Sequence, residues 1–472
     1  MDFTHSSRNS WTLLRKLGGA VALTPRNTPI HPDAIAKHMR SLSRATNINK
    51  KNAKHIRIEQ AHQEQLLQPH AAYSSHFDNN ELTRAINLIK CGKAVGLDNI
   101  FLEFLTHFGK NGRKWLLNFF NKILETAKVI AILKPGKPAE NCASYRPISL
   151  LSVSYKHLGL LLYNRISPIL NPTIPPEQAG FRPNRNCTGQ VLALTSHIEA
   201  GFQRGRKDFY SFCRPKAAYN TVWVRGLLYN LSTVLPCRRL LTLLKAVLGP
   251  RNIKVVIGDK ESFHQLKNVL PQGSVLAPIL FNIYTSDLRA TQSNKFIYAN
   301  HLALAFQSKH FEEGEPALTQ DLQDLDASST NWRLCPNPTK TEVNAYHLSN
   351  SQARKKTGLK HNFLPRYLRV IPDRSLTYRE HQEAVAQKVK IRVNLIDRLA
   401  GTSWGSQADV FRMSALALIY SSSECCVPAG YRSAHTKKVD FQLHKAMRRI
   451  SGTLRPTPLP WLSVLANITP QR

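Results

Sequence analysis

The chain changes character near residue 76. Before that point polar and basic residues dominate, no apolar period persists, and Pro25, Pro29 and Pro32 interrupt the chain. The run Lys50-Lys51-Asn52-Ala53-Lys54 adds charge without adding a core. This composition predicts a poorly ordered leader with one short helix. Beyond it, Leu82, Ile86 and Ile89 fall at helical spacing within residues 81–90, and a loop follows at 92–100. Residues 115–126 predict a second apolar helix, which runs into a strand at 127–133 with no turn residues between. A long amphipathic helix follows Ser152 and extends through Ile166, and another covers 191–202.

The second half alternates and then turns helical. Residues 208–213 alternate as a strand, and 253–257 pairs with 263–267 around Gly258-Asp259-Lys260. Residues 277–288 predict a helix with Pro278 in its first turn, and 317–334 another that ends before Pro336 and Pro338. Helical patterns at 380–399, 410–422 and 439–451 complete the chain. One stretch stands out. Residues 295–306 read KFIYANHLALAF, with Phe296-Ile297-Tyr298 and Leu302-Ala303-Leu304 flanking the polar pair Asn300-His301. That pattern predicts a strand, a tight turn and a returning strand, with the polar pair at the tip.

Composition narrows the partners. The chain has 472 residues, 42% of them hydrophobic, enough for two or three sizeable cores. Lys and Arg number 65 against 30 Asp and Glu, a net charge of +35 spread along the whole chain. A folded surface of that kind suits a long polyanion, and nucleic acid is the default candidate. The cysteines (Cys91, Cys142, Cys187, Cys213, Cys237, Cys335, Cys425 and Cys426) form no C-x-x-C pair and no zinc-like spacing. They are expected to be reduced, mostly buried thiols. No apolar run approaches the roughly 20 residues of a membrane span, and the N-terminus lacks a signal-peptide core. An intracellular protein, nuclear or cytoplasmic, is expected.

Two further segments set the hairpin in context: FCRPKAAYNTVW at 212–223 and LPQGSVLAPILFNIYTSDL at 270–288. In that order and spacing the three resemble the palm of a reverse transcriptase, that of jockey-like non-LTR retrotransposons (LINE elements). The resemblance covers roughly residues 80–470, including segments such as YLRVIPDRSLTYREH and SGTLRPTPLPWL. It implies an α+β right-hand polymerase fold, with a leader at 1–75, fingers at 76–205 and a palm at 206–345. A thumb and C-terminal helical region would occupy 346–472. It also implies an RNA template, a DNA primer, nucleotides and Mg2+, with no membrane. In these elements an endonuclease precedes the polymerase, and none is expected within this chain.

The metal site departs from the family. A templated polymerase aligns a 3′-hydroxyl with an α-phosphate through two magnesium ions held by carboxylates on neighbouring strands. The family hairpin reads Tyr-Ala-Asp-Asp, and here its aspartates are replaced by Asn300 and His301. The third carboxylate position is Arg214, followed by Pro215, which has no strand donor. A guanidinium about 4 Å from a dication, at an effective dielectric of about 20, costs about 8 kcal/mol before relaxation. Asn300 lacks the charge, and His301 prefers softer metals. Asp208, six residues from Arg214, and Asp287, on a predicted helix, are misplaced as substitutes. Catalysis is therefore expected to be lost.

The resemblance carries over more of the binding apparatus. Tyr219 matches the sugar-discriminating aromatic, with Asn220 where an aspartate is usual. Lys134 and Arg146 match basic residues that clamp the triphosphate, a task suited to the planar fork of arginine. Gln272 and Gly273 belong to a Pro-Gln-Gly turn that the family lays against nucleotide and template, though a plain turn is the simpler reading of those residues alone. Gly180 and Arg182 match a template-contacting element, and Lys340 a residue near the leaving pyrophosphate. Lys437 and Lys438, with Arg392, Arg398, Arg448 and Arg449, suit a duplex backbone, where contacts position without reading sequence. Solvated helix faces are the alternative for these. The connector of about ten residues that related polymerases carry before residue 127 is missing. A non-catalytic nucleic-acid-binding protein and a translated remnant without function remain open beside the polymerase reading.

Overall fold

A computed structural model describes residues 30–43, 52–61, 77–89, 91–92, 100–120, 126–133, 138, 140–257, 260–266, 269–288, 290–352, 354, 358–397, 408–424, 430 and 432–468. The polar leader contains two helices and not one, α1 (Pro32–Ser43) and α2 (Ala53–Gln60). Composition concealed them because each hides only a narrow apolar stripe. On α1, Ile35, Ala36 and Met39 are buried against Ile253, Val255 and Leu266. On α2, Asn52 caps the first turn by accepting from the His55 amide, and Ile58 joins the largest core. Residues 1–29 lie outside the described residues.

Helix α3 (Asn79–Leu88) opens with a reciprocal capping box between Asp78 and Glu81. Two short helices follow, α4 (Leu102–Thr106) and α5 (Lys110–Phe120). The predicted helix at 115–126 thus overran its end, because Thr126 already belongs to strand β1 (Thr126–Leu133). β-Branched residues favour a pleated strand over a helix terminus. Residues 121–125, where the connector was expected to be missing, lie outside the described residues. Strand β2 (Tyr145–Leu150), helix α6 (Val153–Leu170) and helix α7 (Cys187–Gln203) follow.

Strand β3 (Lys207–Cys213) is buried on both faces, with Phe209 and Tyr210 fully enclosed. After it come α8 (Val224–Val234), α9 (Arg238–Val247), and the strands β4 (Arg251–Ile257) and β5 (Lys260–Leu266). Ile257 pairs with Lys260, so the turn falls at Gly258-Asp259, which lie outside the described residues. Helix α10 (Ala277–Tyr284) ends four residues short of its predicted limit. The Thr285 hydroxyl donates to the Phe281 carbonyl and the Ser286 hydroxyl to that of Ile283, closing the last turn. Asp287 is therefore off the helix, and it pairs with Lys54 at 2.7 Å. Strands β6 (Asn294–Tyr298) and β7 (His301–Ser308), helix α11 (Gly314–Asn331) and strand β8 (Glu342–Tyr346) follow.

Two four-stranded sheets result. One runs β2-β1-β4-β5, with β1 and β4 parallel and its other pairs antiparallel. The other runs β6-β7-β3-β8, entirely antiparallel. Helix α7 covers one face of the second sheet through Val191, Leu194 and Ile198, which pack on Tyr210 and Phe212. Helix α11 covers the other, where Leu318 and Leu325 meet Phe209 and Leu304. The C-terminal region is a separate helical core. It comprises α12 (Arg379–Asp397), α13 (Ala408–Ala415) continued by a wider turn at Leu416–Tyr420, α14 (Lys437–Ser451) and α15 (Leu459–Leu465).

The thiols are less buried than expected. Among the described cysteines only Cys237 is fully buried, Cys91 and Cys335 are exposed, and none is in a disulfide. Cys425 and Cys426 lie outside the described residues.

Candidate active site

The predicted hairpin is β6–β7. Tyr298 pairs with His301, leaving Ala299 and Asn300 as a two-residue turn. Ala299 holds φ at 57°, the left-handed region, which costs a residue with a Cβ about 1–2 kcal/mol. The surroundings enforce it. The Gln178 side chain accepts from the amides of Ala299 and Gly180, each at 2.9 Å, and donates to the Ala299 carbonyl at 3.1 Å. Residues 177–179 extend the sheet edge, with the Ile297 amide donating to the Glu177 carbonyl and the Ala179 amide to that of Ile297. Asn282, from α10, donates to the Gly180 carbonyl. Sequence reasoning missed both Gln178 and Asn282, since an isolated amide side chain carries no periodic signal.

Gly180 and Arg182, matched to a template-contacting element, have internal contacts. A Cβ on Gly180 would stand 2.1 Å from the Ala299 nitrogen, so only glycine permits this approach to the tip. The Arg182 guanidinium donates to the carbonyls of Asn171, Ile174, Pro175 and Gln178, tying the loop that carries Gln178.

Strand β3 brings its end to the same tip. Cys213 pairs with Leu302 at the end of the ladder, and the charge of Arg214, the next residue, acts on His301. Beyond the strand the Arg214 carbonyl accepts from the Asn337 amide, and the Lys216 amide donates to the Cys335 carbonyl. Pro215 bridges Pro336 outside the strand, so its missing donor breaks no ladder of β3. The expectation of a proline inside the central strand is thereby corrected. Asp208 is at the far end of the strand, fully buried, where it accepts from Gln307 at 2.7 Å.

The electrostatics are cationic. Arg214 is half-buried and donates to the Arg366 carbonyl at 3.3 Å. The acid that acts on its charge, Glu342, accepts from Asn362 at 2.7 Å. Burial, then the charges of Arg214 and Lys340, push the His301 imidazole down to about 4, so the ring is neutral at neutral pH. Its Nδ1 is buried without a hydrogen-bond partner. Among the described residues no group of three or more His, Cys, Asp or Glu could hold a metal ion. A guanidinium, an amide and an imidazole do not fit the hard, oxygen-rich coordination of magnesium.

The residues expected on the nucleotide side are partly assembled. Tyr219 stacks on Phe281 with ring centroids 4.9 Å apart, and its carbonyl accepts from the Leu270 amide. That bond fastens the Pro271-Gln272-Gly273 turn beside it, in which Gly273 takes φ 113° and the Ser274 amide donates to the Pro271 carbonyl. Lys340 is exposed at the end of the turn Pro338–Lys340. Lys134 and the side chain of Arg146 lie outside the described residues, although the Arg146 backbone pairs with Ile132. Far from this centre, Lys438 pairs with Glu383 at 3.4 Å, while Lys437 is exposed. A cavity of about 470 Å³ opens at Arg214 and Asn300 and runs between the sheet and α11, lined by Leu302, Leu322, Leu325 and Val343.

A strand end and a hairpin tip meet in an antiparallel sheet, with a glycine-bearing turn and an aromatic alongside. The chain belongs to the reverse transcriptase (RNA-dependent DNA polymerase) family, which matches residues 132–397. It is 29% identical over 335 residues to a probable RNA-directed DNA polymerase from transposon BS of Drosophila melanogaster, covering 65% of this chain and 37% of that protein. It is 27% identical over 411 residues to the RNA-directed DNA polymerase from mobile element jockey of Drosophila funebris, covering 81% and 44%. The jockey polymerase of Drosophila melanogaster is 26% identical over 373 residues, covering 73% and 39%. The chain thus spans about two fifths of the length of these relatives. None of the described helices is long and apolar enough to cross a membrane.

Proposed function

We propose that this chain is a polymerase-fold protein of a jockey-like non-LTR retrotransposon that binds an RNA template and a DNA primer without extending the primer. One observation carries the reading. The strand end and hairpin tip that should present carboxylates present Arg214, Asn300 and His301. Two divalent ions cannot be held there, and without them the charge developing on the transferred phosphate is not neutralised.

Binding is supported by features that do not depend on the lost carboxylates. The net charge of +35 favours association with a nucleic-acid backbone. In this reading residues 76–205 act as fingers, 206–345 as palm and 346–472 as thumb. Tyr219, Gln272, Gly273 and Lys340 face the nucleotide, the role that the resemblance also gives Lys134 and Arg146, and Lys437 meets the duplex backbone.

The test is the affinity of the chain for an RNA–DNA duplex across a salt series, with a thermal melt of the same preparation. The reading expects a steep linear fall of log affinity with log salt and a cooperative melt. A flat salt dependence would contradict it. Loss of the cooperative melt would favour a remnant with no function.

A further inference from the structure

Protein interiors are close-packed and leave few voids larger than a water molecule, so the cavity of about 470 Å³ between the β6-β7-β3-β8 sheet and α11 calls for an explanation. Its origin lies in the side chains. Leu322, Leu325, Asp326 and Ser329 fall at i, i+3, i+4 and i+7 of α11 and so share one face. Leu302 and Val343 meet them from the sheet, and Phe281 from α10. Short side chains stand where bulky ones would close the space: Cys213, Ala299, Ser329 and Thr341. The volume is within the roughly 300–1,000 Å³ of small-molecule sites, and a lining this apolar holds water poorly.

Charge is confined to a few positions. Among the described residues Arg214, Lys360 and Asp326 are the charged side chains that line the cavity. Asp326 and Lys360 are exposed, and Lys360 donates to the Thr339 carbonyl. Arg214 is half-buried, and burial disfavours its charge. Its guanidinium is a fork of N–H donors, of which Nη2 reaches the Arg366 carbonyl at 3.3 Å. A cation partly out of water beside an apolar space favours an anion with an apolar body, and the planar fork pairs with a carboxylate through parallel bonds. The leucine-lined interior offers few partners to a sugar or a phosphate chain.

We propose that the cavity between α11 and the sheet is a site for a small amphipathic carboxylate, its apolar body against Leu302, Leu322, Leu325 and Val343 and its carboxylate on Arg214. This site needs the apolar space and the guanidinium together, whereas loss of catalysis needs only the missing metal carboxylates, so either can fail without the other. A ligand held by the folded chain alone also raises its melting midpoint.

Isothermal titration calorimetry of the full chain with decanoate tests this, beside 1-decanol, decyltrimethylammonium and acetate. Decanoate should saturate at one molecule per chain, with 1-decanol about tenfold weaker. Decyltrimethylammonium reverses the charge and acetate lacks the body, and neither should bind detectably. Arg214→Gln should weaken decanoate about tenfold and leave 1-decanol unchanged. Leu322→Trp and, separately, Ser329→Leu fill the space and should abolish binding of both, with a cooperative melt showing that each variant is folded. Lys390→Gln, at an exposed position on α12, should change nothing. Cys213 gives a readout on the parent alone, since it lines the cavity. Decanoate should slow its alkylation by N-ethylmaleimide several-fold, read by peptide mass spectrometry, and leave the exposed Cys91 unaffected. Absence of decanoate binding, competition by acetate, or a filled and folded variant that binds as the parent does would overturn the proposal. So would many decanoates per chain, which would mark association with the basic surface, or a Cys213 that reacts no slower with decanoate present.

Discussion

Gly180 presses against the backbone of Ala299 so closely that a Cβ there would stand 2.1 Å from the Ala299 nitrogen. The obstruction is backbone, which cannot swing aside as a flexible side chain would. Gly180→Ala should therefore destabilise the chain by about 1–3 kcal/mol, the range for overpacking, and shift the hairpin. A thermal melt checks this, and an unchanged midpoint would show that the tip is looser than described.

Gln178 supports the same turn by different chemistry. Its amide satisfies the Ala299 and Gly180 amides and the Ala299 carbonyl at a buried position. Gln178→Leu keeps the volume and strands those groups, at a cost of about 2–4 kcal/mol in a denaturant titration. A loss under about 0.5 kcal/mol would mean that water replaces the amide.

Away from the centre, Arg165 grips Glu81 with two parallel bonds, Nε to Oε1 at 2.8 Å and Nη2 to Oε2 at 2.7 Å. Glu81 also completes the α3 capping box, so one side chain joins α3 to α6. Glu81→Ala removes the reciprocal half of the capping box and the ion pair together and should cost about 2 kcal/mol. Glu81→Gln should lose less, since its side-chain oxygen can still accept from the Asp78 amide. Equal losses would assign the effect to charge alone.

The pH dependence of stability has a defined direction. His347 is buried, and burial followed by the charges of Arg374 and Lys207 pushes it down to about 4. The unfolded chain protonates this imidazole near its ordinary value of 6.5 while the folded chain does not. Stability is thus complete above about pH 6.5 and is lost as pH falls toward 4. His347→Gln should flatten that limb of a melt-versus-pH curve by about 1–3 kcal/mol. An unaltered limb would contradict the assignment.

These contacts explain what sequence could and could not reveal. The β6–β7 hairpin was legible because two apolar runs bracket a polar pair, and β3 because its residues alternate. Strand β8 was not, since Glu342 opens it and buried Asn344 interrupts its apolar pattern. Helices α1 and α2 were obscured by charge, their buried residues being too few to lift a window average. The metal positions were legible only through resemblance, because nothing in FCRPKAAYNTVW marks residue 214 as special. Gln178 was invisible for the converse reason: its importance lies wholly in what the fold brings to it.

The most direct test of the central claim is primer extension on an RNA template with magnesium. The parent is assayed beside the triple variant Arg214→Asp, Asn300→Asp and His301→Asp. The account predicts no product from the parent and extension by the variant, since the scaffold around the three positions is formed and only the ligands are wrong. Failure of both would move the lesion from the metal site into the scaffold. Extension by the parent would contradict the account outright, because it would require divalent ions to be held beside Arg214 without a carboxylate.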